Sequence, residues 1–320
     1  MRIPTSPRRA LPGAVIALVA IPLLGACASA SPAADDTIEV LASFYPLQYV
    51  AQEVGGDRVA VESLTPPGTE PHDVELSPRQ VRSVGDADVV VYLGGFQAAV
   101  DEAVEARRPQ HVVDAAENAA VAASRAEPGG ADGGDTADAD SEDEDADHAG
   151  SDPHFWLDPT LLAGVADDVA TALSEADPAN ADEYRSRATA LQEELGALDA
   201  DLSSGLSTCD RRVIVTAHEA FGYLAHRYDL EQVGVSGIDP EAEPSPARLR
   251  QIREAVTAAG VTTLFTETLV NPKVAETLAE DLGVSTAVLD PVESQVDPGT
   301  DYRGAMEGNL SVLREALGCR

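Results

Sequence analysis

Three histidines occupy positions where a folded chain could use them to bind a metal ion. His72 lies in a Pro/Gly-rich loop after a predicted strand, His154 lies between two Asp-Pro pairs beside the single tryptophan, and His218 closely follows another predicted strand. Neutral imidazole nitrogens are good ligands for zinc and other borderline-soft divalent cations. Any one of them could be structural, as His154 would be if it only capped the helix that begins near Asp158. Together they favour a metal site.

Two carboxylates accompany these histidines. Glu267 and Asp290 each follow a predicted strand in the second half of the chain. Open α/β sheets bind ligands at the carboxyl ends of their strands, so both carboxylates should share a sheet edge with His218. Three histidines and a carboxylate, with little other catalytic apparatus, describe a zinc site. The residues leave open whether Asp290, Glu267 or a water molecule supplies the fourth ligand.

Alternating strand-like and helix-like segments predict an α/β fold with two βαβ, Rossmann-like lobes. Strands are predicted at residues 37–43, 58–64, 88–93 and from 111 onward, and in the second half at 212–216, 231–235, 262–266 and 286–289. Helices are predicted at 46–54, 158–176, 220–228, 246–259, 272–282 and 302–317, and a capping box at 77–80 begins another. Each lobe is long enough for its own core. Ligands from both lobes can then meet only in the cleft between them.

One long helix is predicted between the lobes, at residues 178–207. Its apolar residues recur at intervals of four and three, namely Tyr184, Ala188, Leu191, Leu195, Leu198 and Leu202. At about 1.5 Å per residue the helix spans roughly 40 Å. A single helix is a stiffer connection than two or three extended strands, so we expect small lobe rotations and no wide hinge opening. The predicted lobes are residues 37–177 and 208–320.

Residues 1–26 have the pattern of a signal peptide. A head with three arginines precedes an apolar run that proline and glycine interrupt, and that run is too short for a stable membrane anchor. It ends in Leu-Gly-Ala-Cys, which resembles the lipobox of bacterial lipoproteins. We therefore expect a lipidated Cys27, a tether at 27–36, and an exported protein held at the outer face of the cytoplasmic membrane, or a periplasmic one. An ordinary signal peptide with a stray cysteine is the alternative.

Acidic residues dominate the composition. The formal charge is −35 at pH 7 and becomes −38 without residues 1–26, which contain three arginines and no acids. Such a charge argues against nucleic acid as a partner and fits an exported protein that handles cations. Residues 127–152 hold eleven acids, no lysine or arginine and few apolar side chains, so we expect a disordered insertion there. It is either a solvated loop or a weak local concentrator of cations.

Cys209 and Cys319 are the only cysteines after Cys27. Two cysteines in an exported chain predict a disulfide. They are 110 residues apart, and in the chain-entropy model closing a loop of that size stabilises the fold by roughly 4–5 kcal/mol.

Several motifs together resemble the zinc-binding solute receptors of bacterial ABC metal importers, the class whose lobes are joined by one rigid helix. The motifs are P-H-D at 71–73, D-P-H-F-W-L-D-P at 152–159, T-A-H-E-A-F-G-Y at 216–223, G-I-D-P-E-A-E-P-S-P at 237–246 and L-D-P at 289–291. The resemblance covers essentially the whole chain beyond the signal peptide. It implies that His72, His154 and His218 bind Zn²⁺, with Asp290 as the carboxylate that some members add. It also implies a non-enzymatic, monomeric receptor that delivers zinc to an ABC permease in the membrane.

Two features depart from that family pattern. The acidic insertion holds one histidine, His148, where many zinc members have a histidine-rich loop, and the segment 265–269 lacks the proline that commonly follows its glutamate. Neither departure touches the predicted ligands. His111 and His226 lie away from the predicted cleft and are not assigned to the site.

Other functions stay open on the residues alone. A manganese receptor of the same superfamily tends to carry a carboxylate where His218 stands. An exported zinc hydrolase would need a general base, which Glu219 or Glu267 could formally supply. However, Gly222 stands where the second histidine of an H-E-x-x-H motif would be. A chelate receptor, a surface adhesin and a zinc store are further alternatives.

Overall fold

Two four-stranded parallel sheets organise the described part of the chain, which comprises residues 37–118, 121 and 152–320 of a computed structural model. In chain order the strands are β1 (Ile38–Ala42), β2 (Val59–Ser63), β3 (Val89–Tyr92), β4 (His111–Asp114), β5 (Val213–Thr216), β6 (Glu231–Gly234), β7 (Thr263–Thr266) and β8 (Ser285–Val288). The sheet orders are β2-β1-β3-β4 and β6-β5-β7-β8. The predicted fold class, two α/β lobes, is confirmed.

Each sheet has a point where the strand order reverses. In the first sheet β1 pairs with both β2 and β3, and in the second β5 pairs with both β6 and β7. The connections therefore leave toward opposite sides and open a crevice at the carboxyl ends of the central strands. His218 follows β5 and Glu267 follows β7, so both lie at the crevice of the second sheet.

The helices follow the predicted pattern with one addition. They are α1 (Tyr45–Gly55), α2 (Pro78–Asp86), α3 (Ala98–Arg107), α4 (Pro159–Ala176), α5 (Ala181–Leu206), α6 (Gly222–Arg227), α7 (Pro246–Ala259), α8 (Lys273–Leu282) and α9 (Tyr302–Leu317). The predicted capping box is present, because the Ser77 hydroxyl accepts from the Gln80 N–H while the Gln80 side chain accepts from the Ser77 N–H. Gly260, with φ 62°, ends α7 in the left-handed conformation that glycine adopts most easily.

The long helix α5 buries the apolar stripe that its sequence predicts. The buried residues of the 26-residue helix are Tyr184, Ala188, Leu191, Leu195, Leu198, Leu202 and Leu206. It packs against α4 and α1 on the side of the first sheet and against α9 on the side of the second. The helix is therefore part of the packing of both halves.

The largest core is shared between the two halves and does not belong to one lobe. It runs from β1 and α1 through α4 and α5 to α9, and the ring of Tyr49 stacks on that of Tyr302 with centroids 5.4 Å apart. Two smaller clusters cover the outer faces, one around Leu64 and Val90 and the other around Ile252. The prediction of a separate core for each lobe is therefore wrong for the main core, because α5 supplies one apolar surface to both.

The predicted disulfide is present. The Cys209 and Cys319 sulfurs are bonded at 1.96 Å, and the two residues also form an antiparallel bridge between their backbones. The bond ties the segment after α5 to the end of α9. The predicted signal peptide and the predicted lipidation site, Cys27, lie outside the described part of the chain. Nearly all of the acidic insertion lies outside it as well.

Within the described residues, none of the helices combines the length and the apolar character needed to cross a membrane.

Candidate metal centre

Four side chains from distant parts of the sequence converge on one buried point. The group is His72, His154, His218 and Glu293, and the ligand atoms that they offer all lie within 4.8 Å of one another. His154, His218 and Glu293 are almost completely buried, whereas the His72 side chain is 12% exposed. In each of the three imidazoles, Nε2 is the nitrogen that faces the other ligand atoms.

Four of the six distances between these atoms are near those of a tetrahedral metal site. His154 Nε2 lies 2.9 Å from Glu293 Oε1 and 3.4 Å from His218 Nε2. The same Glu293 oxygen lies 3.4 Å from His72 Nε2 and 3.8 Å from His218 Nε2. A zinc ion with bonds of about 2.0–2.1 Å in tetrahedral geometry would require ligand atoms about 3.4 Å apart. The buried His72 Nε2 has no hydrogen-bond partner among the described residues, which a metal ion would remedy.

His154 is fixed by the turn that carries it. It precedes a short 3₁₀ turn, Phe155–Leu157, and the Asp152 carboxylate accepts from the His154 backbone N–H at 2.9 Å and contacts its Nδ1 at 2.6 Å. A proton on Nδ1 leaves Nε2 free as a ligand, and such carboxylate–histidine pairs orient metal ligands in many proteins. Asp152, assigned from sequence to the disordered insertion, is therefore a buried part of the site.

Glu267 has the equivalent role beside His218. Its Oε2 lies 2.6 Å from His218 Nδ1, and its Oε1 accepts from the His218 backbone N–H at 3.2 Å. The 2.6 Å contact is close enough for an ion pair, although its alignment departs from that of a hydrogen bond. Glu267 was predicted as an alternative ligand. The structure places it behind the histidine, on the side away from the other ligand atoms.

The His72 loop is held from two directions. Both oxygens of Glu70 lie 3.0 Å from the His72 backbone N–H, and Gln97 donates from Nε2 to the Pro71 carbonyl at 3.1 Å. The Phe96 ring meets the imidazole edge to face, with centroids 4.9 Å apart. These contacts fix the ring beside the other three ligand atoms.

Glu293 takes the place that was predicted for Asp290. The Asp290 carboxylate accepts from the Val292 N–H at 2.8 Å and lies outside the converging group. Val292 has φ 56°, an uncommon conformation for a β-branched residue, and this turn carries Glu293 inward. The assignment of Asp290 as fourth ligand is therefore wrong in this geometry, because Asp290 shapes the turn and the residue three positions later reaches the centre.

Two hydrogen bonds join the Glu293 turn to the histidine-bearing segments. The Trp156 indole N–H donates to the Pro291 carbonyl at 2.8 Å, and the Gly68 N–H donates to the Ser294 hydroxyl at 2.7 Å. Trp156 lies two residues after His154, and Gly68 lies in the loop that leads to His72. The turn is thus held against both histidine segments of the first half.

The charges of the four side chains are strongly coupled. Burial by itself raises the pKa of Glu293, but contacts with His154, His218 and His72 outweigh it and hold that pKa well below its ordinary value. Burial by itself lowers the pKa of His218, yet Glu267 and Glu293 together raise it to about 10. Asp152 and Glu293 likewise overcome the burial of His154, so its pKa is raised. Without metal, protons on the imidazoles therefore balance the buried carboxylates.

The remaining candidates lie elsewhere. The Glu219 carboxylate is engaged by Arg248 Nη2 at 2.5 Å, and His111 lies 3.5 Å from Glu175 on the outer side of the first sheet. His226 is an exposed residue of α6. None of these belongs to the converging group.

Known proteins similar to this chain are named for zinc binding or zinc uptake. Residues 40–316 match the protein family described as "ZnuA: Zinc-uptake complex component A periplasmic". The zinc-binding lipoprotein AdcA of Streptococcus pneumoniae is 33% identical over 298 residues, covering 88% of this chain and 56% of that protein. The high-affinity zinc uptake system protein ZnuA of Bacillus subtilis is 29% identical over 313 residues, covering 92% and 94%. The chain thus spans about half the length of AdcA and nearly all of ZnuA.

Solved structures show the same fold. The AdcAII protein of Streptococcus pneumoniae has a TM-score of 0.73 at 31% identity, covering 88% of this chain and 99% of that one. The laminin-binding protein Lmb of Streptococcus agalactiae, described as a bifunctional protein with adhesin and metal transporting activity, has a TM-score of 0.72 at 30% identity with the same coverage. The Zn(II)-bound ZnuA-like domain of Streptococcus pneumoniae AdcA has a TM-score of 0.69 at 30% identity, again covering 88% and 99%. With the family match spanning most of its length, this chain belongs to the ZnuA family of zinc-uptake complex components.

Proposed function

We propose that this protein is an extracytoplasmic zinc receptor, which captures Zn²⁺ and delivers it to the permease of an ABC importer. The observation that carries the proposal is the buried set of three imidazoles and one carboxylate, whose ligand atoms all lie within 4.8 Å of one another. His72 and His154 come from the first half of the chain, and His218 and Glu293 from the second. The ion would therefore bridge the two sheets.

The ligand types favour zinc over manganese. Three imidazole nitrogens suit a borderline-soft cation, whereas manganese prefers oxygen ligands and higher coordination numbers. The site offers four ligand atoms at close spacing, and the nearby Glu267 and Asp152 are directed at the Nδ1 atoms of two histidines. They hold imidazoles in position and do not add oxygen ligands.

The same arrangement supports a receptor over a zinc hydrolase. A catalytic zinc keeps an open coordination position and a nearby general base for its water. Here four protein ligands converge, and the two carboxylates that sequence suggested as bases, Glu219 and Glu267, are engaged by Arg248 and His218. The geometry fits a cargo ion that is bound and later released.

The attachment and the partners are part of the same proposal. We infer a signal peptide at 1–26, a lipid anchor at Cys27 with a tether at 27–36, lobes at 37–177 and 208–320, and a linker helix at 178–207. Their support is the lipobox-like Leu-Gly-Ala-Cys and the lipoprotein named among the relatives. The protein would act as a monomer that presents its cargo to a membrane permease.

The test is a competition titration of the metal-stripped protein, residues 37–320, with zinc and manganese, together with elemental analysis of the purified protein. We expect one zinc per chain and an affinity for zinc well above that for manganese. Equal affinities would overturn the zinc assignment. Hydrolysis of ester or peptide substrates by the zinc-loaded protein would overturn the receptor assignment.

A further inference from the structure

The four ligand positions are not equally sheltered from solvent. The side chains of His154, His218 and Glu293 are at most 3% exposed, whereas His72 is 12% exposed. His72 Nε2 itself is enclosed, so an ion needs a small local movement to reach it. His72 is therefore the ligand side chain with the most contact with solvent.

A surface pocket of about 270 Å³ borders the segment that carries His72. Its lining includes Glu70, which contacts His72, and Ala217, which directly precedes His218. Its lining also includes the loop at 240–244, residues 269–271 and the start of α8. The pocket thus borders two of the ligand-bearing segments, one from each half of the chain.

Glu70 connects this pocket to the ligand group. Its side chain is 19% exposed and lines the pocket, while its Oε1 lies 3.9 Å from His72 Nε2. Its two oxygens accept from the His72 backbone N–H at 3.0 Å and also interact with the Asp73 backbone N–H. A carboxylate oxygen accepts more than one interaction, so Glu70 can meet a cation from the pocket side and still hold the loop.

We propose that zinc enters and leaves through this pocket, and that Glu70 is a transit ligand that contacts the partly dehydrated ion before His72 does. This inference rests on the proposed function. Glu70 is the outer carboxylate and Glu293 the inner one, with His72 between them at 3.9 Å and 3.4 Å. An ion on the way in would exchange Glu70 for Glu293 while it stays within reach of the His72 ring.

A transit ligand has a kinetic signature that distinguishes it from other roles. A group that stabilises the ion only during passage lowers the barrier in both directions, so its removal slows association and dissociation together. A charge that merely attracts cations changes association without slowing dissociation. A residue that merely positions His72 speeds dissociation when it is lost.

The experiment measures zinc association and dissociation by stopped flow, with a zinc indicator and a competing chelator, for Glu70→Gln and its parent. Glutamine keeps the shape and an oxygen that accepts from the His72 N–H, so the loop is retained. We expect both rate constants to fall about ten-fold while the dissociation constant changes less than about three-fold. Glu70→Asp, which keeps the charge, should stay closer to the parent in both rates.

The matched control is Glu241→Gln, which removes a carboxylate from the rim of the same pocket without contact to His72. It should leave the dissociation rate unchanged. The proposal is overturned if Glu70→Gln leaves both rates unchanged, or if it slows association while dissociation stays the same or becomes faster. A parent protein that binds no zinc would instead refute the proposed function, which keeps the two failures distinct.

Discussion

The indole N–H of Trp156 donates to the carbonyl oxygen of Pro291 across 135 residues of sequence, at 2.8 Å. This bond joins the turn that carries His154 to the turn that carries Glu293. The Tyr302 hydroxyl, which donates to the Trp156 carbonyl at 2.5 Å, ties the same turn to α9. Two ligands from opposite halves of the chain are therefore positioned by one buried tryptophan, so the site forms only when both halves are in place.

Substitutions can distinguish the contribution of Glu293 to zinc affinity from that of Asp290. Glu293→Gln removes the anionic ligand, and we expect zinc affinity to fall by more than about ten-fold, since even residues behind the ligands are worth 10–100-fold. Asp290→Asn keeps an oxygen that can accept from the Val292 N–H, so its effect should be clearly smaller. Competition titration of both variants checks this. A larger loss for Asp290→Asn would restore Asp290 as the ligand.

Glu267 should matter without touching the ion. Glu267→Gln removes the negative charge beside His218 Nδ1, which makes the imidazole a weaker ligand, and a loss of about 10–100-fold in zinc affinity is expected. The control is Glu219→Gln. Glu219 directly follows His218 in sequence, but its carboxylate is engaged by Arg248, so this variant should bind zinc almost as the parent does. Equal losses in both variants would point to general electrostatics.

Zinc binding should release protons at neutral pH. Because the pKa of His218 is raised to about 10 without metal, its imidazole is protonated on both nitrogens at pH 7. Zinc must displace the proton on Nε2. Affinity should therefore decline with falling pH from well above 6.5, the ordinary histidine value. Calorimetric titrations in two buffers of different ionisation enthalpy measure the released protons. Identical enthalpies in both buffers at pH 7.5 would contradict the expectation.

The same shifts predict how stability changes with pH. The raised pKa of His218 stabilises the metal-free fold fully below 6.5, and this contribution is lost as pH rises toward about 10. The lowered pKa of Glu293 contributes stability above 4.5, which is lost as pH falls. The increase in Tm on adding zinc should therefore grow from pH 6 to pH 9. Thermal unfolding with and without zinc at several pH values tests this.

The disulfide should contribute stability and leave the site alone. Replacing Cys209 and Cys319 together by serine should cost roughly 4–5 kcal/mol in the chain-entropy model, which corresponds to a fall in Tm of about 10 °C for a chain of this size. Neither cysteine belongs to the ligand group, so zinc affinity should be unchanged. A large loss of affinity would mean that the bond positions the second half of the site.

Local patterns were sufficient to predict most elements, and the three histidines that they indicated lie together in the structure. Helices α7 and α9 begin and end where their caps indicate, and every described strand lies within or beside its predicted run. The helix α3 was missed because it buries only Val100 and Ala103 and so shows no apolar stripe. The periodicity of apolar residues reveals a helix only when one face of it is buried, and α3 has only a small buried face.

The fourth ligand shows where sequence reasoning ended. Asp290 ends a strand in an Asp-Pro pair and looked like a site residue, whereas Glu293 has no comparable marker. The difference depends on a turn in which Val292 adopts positive φ, and valine gives no signal for that conformation. Asp152 was missed for a related reason, because it closes an acidic tract whose composition gives no sign that this carboxylate is buried.

The core shared by the two halves constrains how the chain can fold as it is synthesised. The first half emerges before α9 exists, yet Tyr49 of α1 stacks on Tyr302, the first residue of α9. The apolar faces of α1 and α5 therefore lack part of their cover until nearly all of the 320 residues have been made. A nascent chain of this kind exposes hydrophobic surface during most of its elongation. Holdase chaperones should therefore bind it and release it only after α9 has been synthesised.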